Sequence, residues 1–220
     1  MSLDNPAAEV AAIQADSGSR SRVAHLGLVL LFLVSGAAAL IYQVCWQRLL
    51  FESIGTDIDS VTVIVSTFML GLGLGALAGG EVVDRYPQRT LELFALIELA
   101  TGVFGAFSAP LIHLVSAATV RGSLATIAVA NFALLLIPTT LMGATLPILV
   151  THVMRAYRNL GVSVGTLYCV NTLGAALGAA GTGFGVLYYL GLGSTIYIAV
   201  ALNVTVSAGA WLALRKQRAA

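Results

Sequence analysis

The sequence predicts an all-α, polytopic membrane protein with six transmembrane helices and both termini in the cytoplasm. The first observation is composition: 58% of the 220 residues are apolar, 10% are charged, and the mean hydropathy is +0.93. A soluble domain carries about 25% charged residues, so this chain cannot cover a water-facing surface in the usual way. The second observation is that Asp, Glu, Lys and Arg are absent from long stretches, which are 23–47, 60–80, 99–120, 122–154 and 159–214.

Each uncharged stretch is long enough to form a helix across the hydrocarbon layer, which takes about 20 residues. The last stretch suffices for two crossings, and the segment Leu190-Gly191-Leu192-Gly193-Ser194 is a natural break between them. The six predicted helices of the 23–214 membrane domain are, in order, 23–46, 59–81, 91–115, 123–152, 163–189 and 194–214.

The distribution of Lys and Arg between the two sides of the membrane predicts the orientation. Of the 11 Lys and Arg residues, all except Arg48 and Arg121 fall on the side of the N-terminus when six helices are drawn. Positive charge concentrates on the cytoplasmic side, so we expect both termini inside, in the bacterial inner membrane. Residues 1–22 are predicted to be a disordered cytoplasmic tail and 215–220 a basic one. A secretory signal ending near Ala37-Ala38-Ala39 is the competing interpretation of the first apolar run.

Closely spaced glycines mark the second helix, where residues 68–85 are FMLGLGLGALAGGEVVDR. We call this segment the glycine comb. The stretch 73–78 matches G-x-G-x-x-A, a dinucleotide-binding pattern, but an open loop in an uncharged run would leave backbone groups unsatisfied in lipid. Helix packing is the better interpretation, because small residues spaced by four lie on one face and let a neighbouring helix approach closely. The predicted packing glycines are Gly71, Gly75, Gly79, Gly174 and Gly178.

Polar residues at membrane depth are candidates for function. Glu98, about two turns into the third helix, is the foremost one; it indicates either a proton or cation site or an interhelical hydrogen bond to an amide or hydroxyl. The other members of this possible intramembrane site are Tyr42, Gln43, Asn131 and Asn171. We find no catalytic arrangement and no metal-ligand spacing of His or Cys, so no metal or cofactor is expected. The absence of a long basic run argues against nucleic acid as a partner.

Several motifs in order resemble one family. They are SGAAALIYQVCWQR at 35–48, the glycine comb, LIEL at 96–99, PTTLMGATLPIL at 138–149 and GTLYCVNTLGAALGA at 165–179. Together they resemble the membrane module of the spermidine synthase-like, or fused major-facilitator/spermidine synthase, proteins. The resemblance implies a half-major-facilitator-like bundle. It also implies a cytoplasmic latch at Asp84, Arg85 and Arg89, although these residues also fit a helix end that follows the positive-inside rule.

Members of that family usually carry a cytosolic aminopropyltransferase-like domain after the membrane region. The present sequence ends shortly after Leu214, and the aminopropyltransferase glycine motif is not found, so an enzyme acting alone is disfavoured. We expect a non-catalytic membrane subunit that anchors or organises a larger complex. Its expected partners are the lipid bilayer, other membrane subunits or a second copy, and a separately encoded cytoplasmic protein.

The alternative is a dimer that transports or binds a small solute or cation, polyamines among them. The two hypotheses differ in what Glu98 should contact. Transport predicts polar side chains that converge on a wet cavity, whereas an anchoring subunit predicts a tight bundle in which a neighbouring helix caps Glu98.

Overall fold

The computed structural model describes residues 6–55, 57–157 and 159–219, and in these ranges the chain forms helices and no strand. The all-α fold class is therefore confirmed for the described residues. In chain order the elements are α1 (Pro6–Ile54), α2 (Asp57–Arg85), a 3-10 turn (Pro87–Arg89), α3 (Thr90–Thr119), α4 (Leu124–Tyr157), α5 (Leu160–Gly181), a π-helical segment (Thr182–Val186) and α6 (Leu187–Ala219).

The described helices include stretches of the length and composition that a bilayer crossing needs. Five qualify in the described ranges: Leu26–Ile54, Ile58–Arg85, Pro87–Thr119, Leu124–Arg155 and Leu160–Arg218. The last stretch is 59 residues long and counts as one by length and composition, whereas the sequence predicts two helices within it.

Several predicted helix ends differ from those in the structure. The first helix begins at Pro6 instead of residue 23, so it runs through most of the segment predicted as a disordered tail. Residues 1–5 of that predicted tail lie outside the described part of the chain. Near the C-terminus α6 continues to Ala219, so the predicted basic tail is also largely helical.

Gly191 interrupts the long final stretch. Its φ of 74° and ψ of 171° are non-helical, and they divide α6 at a kink. A positive φ is readily adopted only by glycine, which has no Cβ to clash with the backbone. The kink lies inside the segment 190–194 that the sequence predicts as a break. Gly55, with φ of 84°, makes a comparable turn between α1 and α2.

Interhelical contacts define the directions of the helices. Ser35 and Tyr42 of α1 contact Glu98 and Gly105 of α3 in the same order, so these two helices run parallel. The contacts of α6 reverse that order: Asn203 and Ser207 meet Glu98 and Ala95 of α3, which makes α6 antiparallel to both. The α5 glycines 174 and 178 approach α1 at positions 33 and 37, in parallel order. The chain therefore reverses direction between α5 and the part of α6 that follows Gly191.

The bundle is held by two main layers of apolar side chains. One surrounds the second half of the membrane-length part of α1, where Trp46 stacks on Tyr42 at 5.1 Å between ring centroids and meets Phe104 edge-on at 6.0 Å. The other surrounds Phe32 and Phe94, whose rings make an edge-to-face pair at 6.3 Å. Glu98 lies between these layers, one turn past Phe94 on α3, where α1 and α6 both pack against α3.

Candidate functional site

The glycine comb of α2 lies against α4. A Cβ added at Gly71 would overlap the side chain of Thr139, and one added at Gly79 would lie 2.8 Å from Cα of Ala144. At Gly75 an added Cβ would overlap the carbonyl oxygen of Thr140 and sit 2.8 Å from Cα of Gly143. Backbone atoms cannot swing aside as a flexible side chain can, so this contact requires glycine. By contrast, a Cβ added at Gly73 of the same helix would have nothing within 4 Å.

The glycines of α5 make a similar contact with a different helix. An added Cβ at Gly174 would overlap the backbone of Leu33, and one at Gly178 would sit 2.8 Å from Cα of Ala37. The predicted packing glycines thus form two separate interfaces, α2 with α4 and α5 with α1. Small residues at these positions bring the helix backbones close together, which is how packing is strengthened where lipid removes the hydrophobic driving force between helices.

Glu98 joins three helices. It is 1% exposed; Ser35 Oγ of α1 donates to its Oε1 at 2.5 Å, and Asn203 Nδ2 of α6 donates to its Oε2 at 2.6 Å. One turn along α6, Ser207 Oγ donates to the carbonyl of Ala95 at 2.8 Å. Each carboxylate oxygen therefore has a neutral donor from a different helix.

Three buried polar atoms around this junction have no hydrogen-bond partner among the described residues. They are Tyr42 Oη, Thr101 Oγ1 and Asn203 Oδ1. Thr101 follows Glu98 by one helical turn on α3, and Tyr42 Oη lies beside Gly105, one turn further along. Buried polar atoms are nearly always paired with protein, water or an ion. The described core has three more such atoms away from Glu98, which are Trp46 Nε1, Asn131 Oδ1 and Thr182 Oγ1.

The other predicted site residues are not all brought to this junction. Asn131 is buried in α4, where its Nδ2 donates to Ser116 Oγ at 3.2 Å and to the carbonyl of Ile127 at 3.0 Å. Ser116 lies about 27 Å beyond Glu98 along α3, at 1.5 Å per helical residue, so the structure does not bring Asn131 together with Glu98. Asn171 faces Gly36, the neighbour of Ser35, and Gln43 is half-buried on α1.

The residues of the predicted latch pair mostly with their own segment. Arg85 contacts Glu81 of its own helix at 3.4 Å, Arg89 lies 4.0 Å from Glu92, and Asp84 is exposed. Links between helices at this end come instead from two other arginines: Arg155 of α4 donates to Gln88 at 3.3 Å, and Arg218 of α6 pairs with Glu92 of α3.

Sequence reasoning missed Ser35, Thr101 and Asn203 as members of the site. Asn203 could have been found, because it is an amide in an uncharged helix just as Asn131 and Asn171 are. A serine or threonine in a membrane helix carries little signal, since its hydroxyl often bonds to its own helix, as Thr205 Oγ1 does to the carbonyl of Ala201 at 2.7 Å.

The described residues contain no group of three or more His, Cys, Asp or Glu side chains that could hold a metal ion. Both cysteines are free, Cys45 being buried and Cys169 exposed. The site is thus one buried carboxylate surrounded by hydroxyl and amide groups, which can accept hydrogen bonds or offer oxygen ligands to a cation.

The fold and the site together define a helical protein whose long apolar helices suit a membrane, and three of these helices meet at the buried carboxyl group of Glu98. Among curated proteins, the chain is 31% identical over 180 residues to a polyamine aminopropyltransferase of Corynebacterium efficiens. The match covers 78% of this chain but only 32% of that protein. It supports a partial relationship to spermidine synthase-like proteins. No family model matches the chain, and no solved structure matches it significantly.

Proposed function

We propose that the chain is a non-catalytic membrane module that anchors or organises a larger complex, with an aminopropyltransferase-like polypeptide as its partner. The observation that carries the proposal is the closure of Glu98 by Ser35 and Asn203 from two neighbouring helices. A transport site needs polar groups exposed to a shared cavity, and here Asn131 bonds elsewhere while Glu98 is enclosed. The choice of partner rests on the Corynebacterium efficiens relative, an aminopropyltransferase of which this chain matches 32%.

The proposed topology has six crossings in the bacterial inner membrane with both termini inside. The reversal between α5 and α6 supports it, because Gly174 of α5 and Gly209 of α6 both lie against the same part of α1, at Leu33 and Leu31. The positive φ of Gly191 supplies the turn between them. In this topology the final 59-residue stretch forms two antiparallel crossings. Each of the other four stretches forms one crossing, which gives six.

Co-purification in a mild detergent tests the anchoring function. A tagged chain extracted from its own membranes should elute with one cytoplasmic polypeptide in a fixed molar ratio, measured by native mass spectrometry. A bulky variant at Gly75 should lose that partner together with its own fold, whereas the same change at Gly73 should retain it.

Transport of a small cation is the second candidate, and the unpartnered oxygens of Tyr42, Thr101 and Asn203 favour it. Uptake of labelled spermidine by vesicles containing the purified chain separates the two functions. We expect no uptake above that of empty vesicles. A chain that purifies as a lone homodimer, and whose uptake is abolished by Glu98→Gln with assembly intact, would overturn the anchoring proposal.

A further inference from the structure

One end of the bundle collects the basic side chains of several helices. The membrane-length stretches Ile58–Arg85, Leu124–Arg155 and Leu160–Arg218 each end in an arginine. Contacts place these ends side by side, because Arg155 donates to Gln88 in the turn after α2 and Arg218 pairs with Glu92 of α3. The described basic residues of this end are Arg85, Arg89, Arg155, Arg215, Lys216 and Arg218, and its described acidic residues are Glu81, Asp84 and Glu92. Positive charge is therefore in excess here.

The last turns of α6 place basic and apolar side chains next to each other on an exposed surface. Trp211 and Leu212 are 37% and 59% exposed. Arg215 and Lys216 follow them by four residues and are exposed as well. Side chains four apart lie on the same face of a helix, so each of the two apolar groups has a basic neighbour. We call these four residues the α6 patch. No ion pair of the described residues includes its arginine or its lysine.

The α6 patch lies one membrane thickness away from the kink at Gly191. Trp211 follows Gly191 by 20 residues, which corresponds to about 30 Å of helix and to the thickness of the hydrocarbon layer of a bilayer. When the kink lies at one surface of that layer, Trp211 reaches the other surface. Arg215 and Lys216 then lie among the lipid headgroups, while Leu212 remains in contact with acyl chains.

We propose that the α6 patch binds an anionic phospholipid, with the phosphate at Arg215 and Lys216 and an acyl chain against Trp211 and Leu212. The charges are complementary, and basic residues next to a membrane helix attract anionic lipids. A soluble acidic protein would match the charges but would not cover Leu212 at the depth of the acyl chains. The proposal rests on the proposed membrane topology, and it holds whether or not the chain anchors a partner.

Lipid titration of the purified protein in a neutral detergent tests this binding. Dioleoyl phosphatidylglycerol and dioleoyl phosphatidylcholine are added separately at equal mole fractions, and native mass spectrometry counts the lipid molecules retained. We expect retention and a saturable rise in the thermal unfolding temperature with the anionic lipid only, since a ligand that binds the folded state stabilises it. Added NaCl should weaken the response because it screens exposed charges. Glycerol phosphate, a headgroup without acyl chains, should have no effect at the same concentration.

Charge-removing variants locate the site. The double variant Arg215→Gln with Lys216→Gln should raise the half-saturating fraction of phosphatidylglycerol about 25-fold, or about fivefold for each charge removed. The matched control is Arg48→Gln with Arg121→Gln, which removes two exposed charges from the opposite end of the bundle and should leave the titration unchanged. Far-UV circular dichroism verifies that both double variants fold. If the first does not, the NaCl dependence of the unmodified protein decides.

Three results would overturn the proposal. The first is equal retention of the two lipids, and the second is an equal response to glycerol phosphate, which would assign the patch to free phosphate. The third is a patch variant that still binds phosphatidylglycerol but loses a co-purifying polypeptide, which would assign the patch to a protein partner. Because the titration uses the purified chain in detergent, its failure is distinct from a failure to find a partner or from a different orientation in the membrane.

Discussion

Ser35 of α1 donates a 2.5 Å hydrogen bond to Glu98 of α3, although the two residues are 63 positions apart in the chain. With Asn203 on the opposite oxygen, this contact makes one carboxylate the meeting point of three helices. The buried carboxyl group of Glu98 therefore links three helices in the structure.

Ser35→Ala should destabilise the bundle by about 1–2 kcal/mol. The change leaves one buried carboxyl oxygen of Glu98 without its hydrogen-bond partner, and an unsatisfied buried polar group costs about 1–3 kcal/mol. Reversible unfolding in mixed detergent, followed by circular dichroism, measures the loss. Ser53→Ala is the control, because Ser53 Oγ donates to the carbonyl of Leu49 on its own helix; equal losses in the two variants would contradict this role for Ser35.

Gly75→Leu should prevent α2 from packing on α4. The new side chain would collide with the backbone of Thr140 and Gly143, and overpacking of a close contact costs about 1–3 kcal/mol or more. We expect aggregation or loss of the monodisperse peak in size-exclusion chromatography. Gly73→Leu, on the open side of the same helix, should elute like the unmodified protein, and a similar defect there would show that the close contact is not the cause.

Gly178→Ala and Gly165→Ala make the same change on α5 with opposite expected effects. The first places a methyl group 2.8 Å from Cα of Ala37 and should lower the free energy of unfolding by about 1–3 kcal/mol. The second has open space around it and should stabilise the helix by about 0.5–1 kcal/mol, since alanine loses less backbone entropy than glycine. Thermal unfolding of the two variants side by side checks the sign, and a stabilised Gly178→Ala protein would refute the α1–α5 contact.

Gly191→Ala should be destabilising because of backbone conformation alone. No atom lies within 4 Å of an added Cβ there, but φ is 74° and ψ is 171°. Essentially only glycine adopts this backbone conformation, and it costs another residue about 1–3 kcal/mol. Gly193→Ala, two residues on in open space and without a positive φ, serves as the control. If both variants unfold at the temperature of the unmodified protein, the kink is not a conformational requirement.

Labelling of single cysteines tests the six-crossing topology. In a background with Cys45→Ala and Cys169→Ala, reporters are introduced as Arg85→Cys, Arg121→Cys and Lys216→Cys, and intact cells are treated with a membrane-impermeant maleimide. Arg121→Cys should react from outside, while the other two should react only after the membrane is opened. Reaction of Lys216→Cys in intact cells would place the C-terminus outside and require an odd number of crossings from an inside N-terminus.

The sequence by itself determined the class of secondary structure, the long apolar helices and which helix faces are small. These depend on local rules. The length of an apolar stretch decides whether its helix can cross a bilayer, and the 3.6-residue period of the helix places Gly71, Gly75 and Gly79 on one face. The same period could not say that this face meets α4. Residues far apart in the chain are brought together only by the combined packing of all the helices.

The composition of the polar site was decided by the tertiary structure alone. Glu98 is conspicuous in the sequence as a carboxylate in an apolar helix, yet its partners Ser35 and Asn203 lie 63 and 105 positions away. Asn131 looked equally suitable, because it is an amide inside an uncharged predicted helix, but it bonds to Ser116 at the far end of α3. The rotation of each helix about its axis and its height relative to its neighbours select which polar groups meet, and a single-helix pattern contains neither quantity.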